Sequence, residues 1–260
     1  MPDAAPDLAG TRILVTNDDG IAAPGLKVLV RIARSLSKDV WVVAPELEQS
    51  GAGHSLTLRV PLRIRRIAPR RFAVDGTPTD CVLLAIREIL KAHKPQLVLS
   101  GINRGGNMGE DVTYSGTVAA AMEGTLLDVR SLALSLAVTN GARPEWASAE
   151  HWAGLAIRRL AALDWPANTL MNVNIPNLPA DAVTGIAATR QGRRKIGGDL
   201  MASVDPRGRR YFWIGPVRDE DAGQLGTDIH AVTRGEVSVT PIHLDLTHAG
   251  ALDQLRRVFP

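Results

Sequence analysis

The sequence is poor in residues on which several common binding and stabilising schemes depend. It has one cysteine, Cys81, so neither an intrachain disulfide nor a cysteine-based zinc site can form. Aromatic residues make up 4% of the chain, which disfavours binding of nucleic acid through stacked bases. No apolar run approaches the roughly 20 residues of a membrane-spanning helix. Residues 1–10 are polar and lack the apolar segment of a signal peptide, so we expect a cytoplasmic protein.

Familiar catalytic signatures are missing as well. The chain has no G-x-x-x-x-G-K-[S/T] phosphate loop and no G-x-S-x-G nucleophile turn. Gly101, Gly105 and Gly106 do not have the spacing of a dinucleotide fingerprint. The Asp-x-Asp pattern of aspartyl-phosphate phosphatases is also absent, because Asp18 and Asp19 are adjacent. The sequence therefore gives no support to these common classes.

The composition is that of a folded protein with a real core. Hydrophobic residues make up 45% and charged residues 22%, and the formal net charge is +3. A mild positive charge suits an anionic substrate, although an excess of this size more often serves only solubility. The surplus basic residues form two clusters, which are Arg63, Arg65, Arg66, Arg70 and Arg71, and Arg190, Arg193, Arg194, Lys195, Arg207, Arg209 and Arg210.

Short apolar runs alternate with amphipathic segments through the first half of the chain, which indicates a parallel sheet with right-handed crossovers. Ligands bind beyond the carboxyl ends of such strands, where the strand order reverses. We therefore expect the loops at 17–20, 45–55 and 101–114 to converge on one crevice. The predicted strands are 12–16, 40–44, 56–67, 96–100 and 131–138, and the predicted helices are 24–36, 76–90 and 115–127.

The second half of the chain follows a different pattern. Residues 183–217 combine glycine, arginine and alternating apolar residues, which is typical of an extended β arm. We interpret residues 11–260 as one domain with a core over about 11–180, and residues 1–10 as an N-terminal extension. The remaining predicted elements are helices at 145–163 and 252–258 and strands at 170–175 and 236–241.

Asp18 and Asp19 come directly after the first predicted strand. Two adjacent carboxylates repel each other unless a cation or a proton relieves them. Carboxylate oxygens are ligands that suit Mg²⁺ or Mn²⁺. The alternative interpretation is an Asx turn or a helix cap before Pro24.

Two glycine-bearing loops are expected at the same crevice. The loop 101–109 has four glycines, which let the backbone approach a ligand closely, and Asn103 and Asn107 add neutral oxygen donors. The loop 45–55 brings Ser50 and Gly51 within reach, and it contains His54. His54 is a candidate acid or base, but a structural or solvated histidine is the alternative.

The segment 113–117 opens a predicted helix with hydroxyl groups on both sides of Gly116. Hydroxyl groups and free backbone N–H groups at a helix N-terminus form an anion site, so Ser115 and Thr117 are candidate phosphate contacts. Ordinary capping would explain one of the two hydroxyl groups.

Taken together, these stretches resemble the SurE family of stationary-phase survival proteins, which act as 5′/3′-nucleotidases. The resemblance extends over about residues 12–243. The matching segments are Ile13-Leu-Val-Thr-Asn-Asp-Asp-Gly20 with Pro24-Gly25, Val43-Ala-Pro45 with Ser50-Gly51, Gly76-Thr-Pro-Thr-Asp-Cys81, Ser100-Gly-Ile-Asn-Arg-Gly-Gly-Asn-Met-Gly109, Tyr114-Ser-Gly-Thr-Val-Ala-Ala-Ala-Met-Glu-Gly124, Thr227-Asp228 and Ser238-Val-Thr-Pro241.

This resemblance implies an α/β fold with a Rossmann-like parallel-sheet core, an extended β arm and a swapped-type C-terminal segment over about 218–260 that mediates oligomerisation. It implies a homodimer or homotetramer with one divalent metal ion per subunit, Mg²⁺ or Mn²⁺. The metal ligands carry over onto Asp18, Asp19, Ser50 and Asn103. The phosphate or substrate contacts are expected at Asn17, Gly51, Asn107, Ser115, Gly116 and Thr117.

The predicted activity is metal-dependent hydrolysis of nucleoside 5′-monophosphates, and also of 3′-monophosphates, with Asp18 or Asp19 as the base or nucleophile. Short polyphosphate is a further expected substrate, whereas no membrane or stable nucleic-acid partner is expected. Two alternatives are a broad acid phosphatase or exopolyphosphatase and a non-enzymatic nucleotide-binding stress protein. The arm arginines and Lys195 are expected to matter most for longer or more anionic substrates.

Overall fold

The computed structural model describes residues 8–139, 141–196, 200–215 and 218–259. The strands in this part of the chain are β1 Ile13–Thr16, β2 Val40–Pro45, β3 Ile64–Ala68, β4 Arg71–Val74, β5 Leu97–Arg104, β6 Arg130–Ala137, β7 Thr169–Pro176, β8 Gly185–Ala188, β9 Arg194–Ile196, β10 Leu200–Val204, β11 Arg210–Ile214, β12 Arg218–Glu220 and β13 Glu236–His243. The α-helices are α1 Pro24–Leu36, α2 Pro78–Leu84, α3 Gly116–Leu126, α4 Trp146–Ala161, α5 Asp228–Thr233 and α6 Ala249–Val258.

Nine of these strands form one sheet in the order β3-β4-β2-β1-β5-β6-β7-β13-β8. The six consecutive strands from β4 to β7 in this order are parallel. From β1 the chain first builds the sheet outward through β2 and then returns to add β5 on the other side. The strand order therefore reverses between β1 and β5, and their carboxyl ends mark the point where such folds bind ligands.

Strand β1 is a short apolar run because both of its faces are covered by helices. Ile13 and Val15 belong to the core cluster that includes buried residues of α1 and α4. Leu14 points to the opposite cluster, which includes residues of α2 and α3. This two-sided burial fixes the end of β1, and with it the turn that follows.

Helix α3 packs unusually close to the sheet because its residues are small. Most of the helix is buried, and it contains three consecutive alanines, Ala119–Ala121. A Cβ atom added at Gly124 would overlap the Ser131 hydroxyl oxygen and lie 2.9 Å from Cγ2 of Val98. The absence of a side chain at Gly124 thus lets the C-terminal half of α3 lie directly on β5 and β6.

The α/β fold class is confirmed, but some predicted elements differ from the structure. The strand predicted over 56–67 is confined to β3, and the short neighbouring strand β4 and helix α5 were not predicted. Strand β5 continues past Ser100 to Arg104 through a shift in register between Ser100 and Asn103. The glycine-rich loop therefore begins later than the sequence predicts, because Gly101 lies within the strand and does not end it.

The second half completes the sheet before it forms the arm. Strand β13 runs antiparallel to β7 and parallel to β8, so the full sheet is mixed although its centre is parallel. The arm predicted over 183–217 leaves the main sheet only after β8. Its outer part is the antiparallel hairpin of β10 and β11. In the described part of the chain, no helix is long and apolar enough to cross a membrane.

Candidate active site

A cleft of 470 Å³ opens at the point where the strand order reverses. It brings together seven of the residues that the sequence singled out, from three separate loops and a helix start. They are Asp18, Asp19, Ser50, Gly51, Asn103, Asn107 and Ser115. The other residues of the lining are Glu48, Arg104, Gly105, Gly106, Asp111 and Tyr114.

Asp18 lies at the bottom of this cleft and is only 4% exposed. The hydroxyl group of Thr117 donates a hydrogen bond to Oδ1 of Asp18 at 2.5 Å. Burial raises the pKa of Asp18, and hydrogen bonds from the Thr117 hydroxyl and backbone N–H partly oppose the rise. Gly116 makes the approach possible, because a Cβ atom there would lie 2.7 Å from Cβ of Asp18.

Asp19 is less deeply buried than Asp18. Its pKa is raised to about 7, first by burial and then by repulsion from Asp18 and Glu48. The backbone N–H and the positive charge of Arg104 oppose this rise. The cleft thus holds more negative charge than its own donors stabilise, and a bound cation would relieve it.

Asn103 and Ser50 supply neutral oxygen atoms to the same cleft. Asn103 donates its side-chain amide to the carbonyl of Gly105 at 2.9 Å, and its side-chain oxygen accepts no hydrogen bond among the described residues. The exposed Ser50 donates its hydroxyl group to Glu48 at 2.8 Å. Glu48 therefore contributes a carboxylate that the sequence interpretation did not consider.

Asn17 and Asn107 are fixed within the protein. Asn17 is fully buried and donates to the carbonyl of Gly20 at 3.0 Å, while its side-chain oxygen is buried without a hydrogen bond. The backbone N–H of Asn107 donates to Asn174, and its carbonyl accepts from Asn172 and Asn174 at 2.8 and 3.1 Å. These two asparagines of β7 clamp the glycine-rich loop at Asn107.

The helix start at 115–117 differs in detail from the prediction. The Ser115 hydroxyl accepts from the backbone N–H of Val118 at 3.1 Å, which is the capping alternative. Thr117 is fully buried, and its hydroxyl group is directed at Asp18 rather than into the open cleft. The Gly116 N–H, by contrast, is used by no hydrogen bond among the described residues.

His54 lies outside the residues that line the cleft. Its Nε2 atom is 3.1 Å from the carboxylate of Glu123 on α3. Glu123 is 7% exposed, so the pair attaches the loop 45–55 to this helix. The structural interpretation of His54 fits this position, and no geometry supports an acid or base role.

The base of the arm contacts the 3₁₀ helix at Gly109–Thr113 that follows the glycine-rich loop. Arg194 pairs with Asp111 at 3.1 Å, and both side chains are nearly buried. Lys195 donates to the Tyr114 hydroxyl at 2.5 Å and lies over its ring. These contacts give two of the predicted arm cations partners beside the cleft.

Asp228 is a positioning residue whose role the sequence did not indicate, although its motif was noted. It is fully buried. Its carboxylate accepts hydrogen bonds from the backbone N–H groups of Gly109, Gly192 and Ile229 at 2.9, 2.8 and 2.8 Å. One side chain thereby ties the glycine-rich loop, the arm and α5 together.

The described residues contain no group of three or more histidine, cysteine, aspartate or glutamate side chains arranged around a metal position. The donors that meet in the cleft include the carboxylates of Asp18, Asp19 and Glu48, the side-chain amide of Asn103 and the hydroxyl group of Ser50. Such an all-oxygen set suits hard divalent cations better than zinc or copper.

Comparisons with known proteins show the family to which the chain belongs. The family model described as "Survival protein SurE" matches residues 13–198. The "5'-nucleotidase SurE" of Paramagnetospirillum magneticum is 60% identical over 253 residues, which are 97% of each chain. The protein of the same name from Rhodospirillum rubrum is 54% identical over 97% of this chain and 98% of its own length. The crystal structure of the SurE protein from Aquifex aeolicus superposes with a TM-score of 0.84 at 41% identity, covering 96% of this chain and 100% of that one.

Proposed function

Because this chain belongs to the SurE family, we propose that it hydrolyses nucleoside 5′-monophosphates, and also 3′-monophosphates, with the help of a divalent cation. The observation that carries the proposal is the position of Asp18 and Asp19. The two carboxylates are anchored side by side at the switch point of the sheet, next to the N-terminus of α3. The relatives named 5′-nucleotidase support the choice of substrate.

The residues present fit a resident Mg²⁺ or Mn²⁺ ion. Asp18, Asp19, Ser50 and Asn103 would hold it, because they line one cleft and offer only oxygen ligands. Burial first, and then repulsion from Asp18 and Glu48, raises the pKa of Asp19, and a bound cation would oppose both effects. When bound, the cation would neutralise charge developing on the phosphate and make a water molecule more acidic.

Groups of the protein itself would bind the phosphate, orient the carboxylate of Asp18 and accept a proton from water. The unused N–H of Gly116 at the start of α3 is placed to donate to a phosphate oxygen, helped by the positive end of the helix. Thr117 holds the Asp18 carboxylate in one orientation. Asp19 is more accessible than Asp18, so its carboxylate is the better placed of the two to accept a proton from an attacking water.

The direct test is phosphate release from AMP, GMP, 3′-AMP and polyphosphate, after chelation and again with Mn²⁺ or Mg²⁺ restored. We expect hydrolysis of the nucleotides only when a divalent cation is present. Full activity after exhaustive chelation, with metal content verified as nil, would contradict the metal site. Release from polyphosphate alone would replace the nucleotidase proposal with an exopolyphosphatase.

We also propose that the protein assembles as a homodimer or homotetramer, and that the hairpin of β10 and β11 adds to the interface predicted for the C-terminal segment over about 218–260. A two-stranded hairpin by itself is marginally stable in water. This hairpin is exposed along its length, and several of its large apolar side chains are more than half exposed. A second copy of the chain would cover them. These side chains are Leu200, Met201, Val204, Phe212, Trp213 and Ile214.

A further inference from the structure

A second cleft lies beside the candidate active site. It has a volume of 450 Å³ and opens where β6 and β7 end. These strands follow β5 in the sheet, so the second cleft continues the same edge on which Asp18, Asp19 and Asn103 lie. Its volume is within the range of small-molecule sites in proteins, which is about 300–1,000 Å³.

The two clefts meet at two separate places. Gly106 lines both of them. Asp111 lines the first cleft and Arg194 lines the second, and their side chains form an ion pair at 3.1 Å. The two clefts are therefore neighbours, separated only by Gly106 and by this ion pair.

The walls of the second cleft suit a flat apolar ring system more than another charged group. Three of its polar side chains, Asn177, Thr233 and Arg194, already have partners, and Thr139 adds one exposed hydroxyl group. Asn177 accepts from the N–H of Glu145 and donates to the carbonyl of Arg143, and Thr233 donates to the carbonyl of Ile229. The apolar part of the wall comes from Met108, Ala137, Val138, Pro176, Leu178 and Val232.

Met108 places a thioether group in the wall of the second cleft. It is 5% exposed and directly follows Asn107, whose backbone is clamped by β7. A thioether sulfur makes favourable contacts with aromatic rings, worth about 0.3–1.5 kcal/mol each. The glycine-rich loop thus presents a small residue, Gly106, to both clefts and a soft apolar one, Met108, to the second.

We propose that the second cleft binds the heteroaromatic base of the substrate, while the phosphate lies at Asp18 and Asp19 and the sugar passes Gly106. This inference rests on the proposed nucleotidase function and deepens it, because it assigns the residues that separate a nucleotide from other phosphate esters. Contact with the base is expected mainly through the apolar wall and Met108.

The test compares AMP with ribose 5-phosphate, which has the same sugar and phosphate but no base. In the unaltered protein we expect kcat/KM for AMP to exceed that for ribose 5-phosphate by about 10- to 100-fold, as expected for burying a base-sized group. Thr233→Trp fills the cleft from its exposed rim and should lower kcat/KM for AMP by about tenfold, with the loss mainly in KM. Hydrolysis of ribose 5-phosphate should change by less than about twofold.

Two further variants make the result decisive. Ala142→Trp fills the same cleft from another segment and should reproduce the selective loss. Arg234→Trp places the same side chain on the adjacent exposed residue, which does not line the cleft, and should leave both substrates unaffected. Equal effects on both substrates in the cleft variants, or none on either, would overturn the base site. An unaltered protein that hydrolyses neither compound with any divalent cation would instead overturn the proposed function itself.

Discussion

The hydroxyl group of Thr117 donates a hydrogen bond to the carboxylate of Asp18, and the two atoms are 2.5 Å apart. The residue that the sequence suggested as a phosphate contact is therefore a partner of the proposed metal ligand. Its backbone N–H supports the same carboxylate. Thr117 can therefore affect catalysis by orienting the Asp18 carboxylate, without touching the substrate.

Thr117→Val keeps the shape of the side chain but removes this donor. A lost hydrogen bond to a charged group is worth about 1.5–3 kcal/mol, so kcat/KM should fall by about 10- to 150-fold. The Mn²⁺ concentration for half-maximal activity should rise as well. Thr125→Val in the same helix removes a hydroxyl bonded only to the Ala121 carbonyl and should affect neither quantity. A lower kcat/KM with an unchanged Mn²⁺ requirement would instead indicate that the Thr117 hydroxyl group contacts the phosphate of the substrate.

Asp19→Asn keeps the size of the side chain while it removes one negative charge. Turnover should fall by at least about 10²-fold with the fold intact, as expected for the loss of a preorganised electrostatic group. Kinetics under saturating Mn²⁺ measure the turnover, and circular dichroism shows whether the fold is intact. Near-normal turnover would reduce Asp19 to a turn residue.

The metal-free protein should lose stability as the pH rises from about 4 to about 7. In that interval the folded protein keeps a proton on Asp19, whose pKa is raised to about 7 from 3.8, whereas the unfolded chain has lost it. The free energy of unfolding, measured in EDTA at pH 5 and pH 8, should therefore fall in the unaltered protein. The decline should be smaller in Asp19→Asn.

Asp164→Asn provides the control for that experiment, because it removes the same charge from a side chain that is fully exposed to solvent. It should preserve the full pH dependence of the unaltered protein. Added Mn²⁺ should stabilise the unaltered protein more at pH 8 than at pH 5, since protons compete with the cation at low pH. Identical pH profiles for the unaltered protein and Asp19→Asn would contradict the assignment of the raised pKa.

Gly116→Ala should inactivate the protein by displacing Asp18. The added Cβ atom would lie 2.7 Å from Cβ of Asp18 and 3.1 Å from Cγ of Pro78. Gly154→Ala in α4 is the matched control, because its Cβ would have no neighbour closer than 3.7 Å. That variant should gain about 0.5–1 kcal/mol of stability and keep its activity. Normal metal affinity in Gly116→Ala would show that Asp18 tolerates the displacement.

Asn174→Ala should loosen the glycine-rich loop. It removes the side chain that both accepts from and donates to the backbone of Asn107. Each buried group left without a partner costs about 1–3 kcal/mol, so the melting temperature and turnover should both fall. Ser238→Ala alters the residue paired with Asn174 on β13. The hydroxyl group of this serine has no hydrogen bond to any described residue, so the change should be neutral or stabilising. Equal melting temperatures for the two variants would argue against the clamp.

Phe212→Glu should dissociate the proposed oligomer. Phe212 lies on the same face of the hairpin as Leu200 and Ile214, and all three are more than half exposed. A charge at the centre of an apolar interface is strongly unfavourable. Sedimentation velocity should show a species of lower mass, whereas Leu163→Glu, at a leucine that is more than half exposed and lies outside the hairpin, should leave the mass unchanged. A single-chain mass for the unaltered protein would refute the assembly.

The sequence predicted the centre of the molecule better than its periphery. The strands β1 and β2 are short apolar runs because helices cover both of their faces, and this cause acts locally on every residue of the strand. The two carboxylates follow β1 directly, so their place at the switch point could be predicted as soon as the sheet was.

Contacts between distant segments could not be predicted in the same way. Thr117 and Asp18 are separated by 99 residues, and Asn107 and Asn174 by 67, so nothing in either neighbourhood identifies the partner. The hydroxyl of Thr117 satisfies the sequence pattern of a phosphate contact just as well as that of a carboxylate partner. Glu48 was missed because its role depends on the turn that brings it back towards Asp19.

The close packing of α3 on the sheet is linked through Thr117 to the carboxylate of Asp18, a proposed metal ligand. The closest contact is at Gly124, which lies seven residues from Thr117, or about 10 Å along the helix axis. A side chain at this distant glycine would lift the helix from the sheet and carry Thr117 with it. The sensitivity of the chemistry to sequence change therefore extends well beyond the residues that substrate can touch.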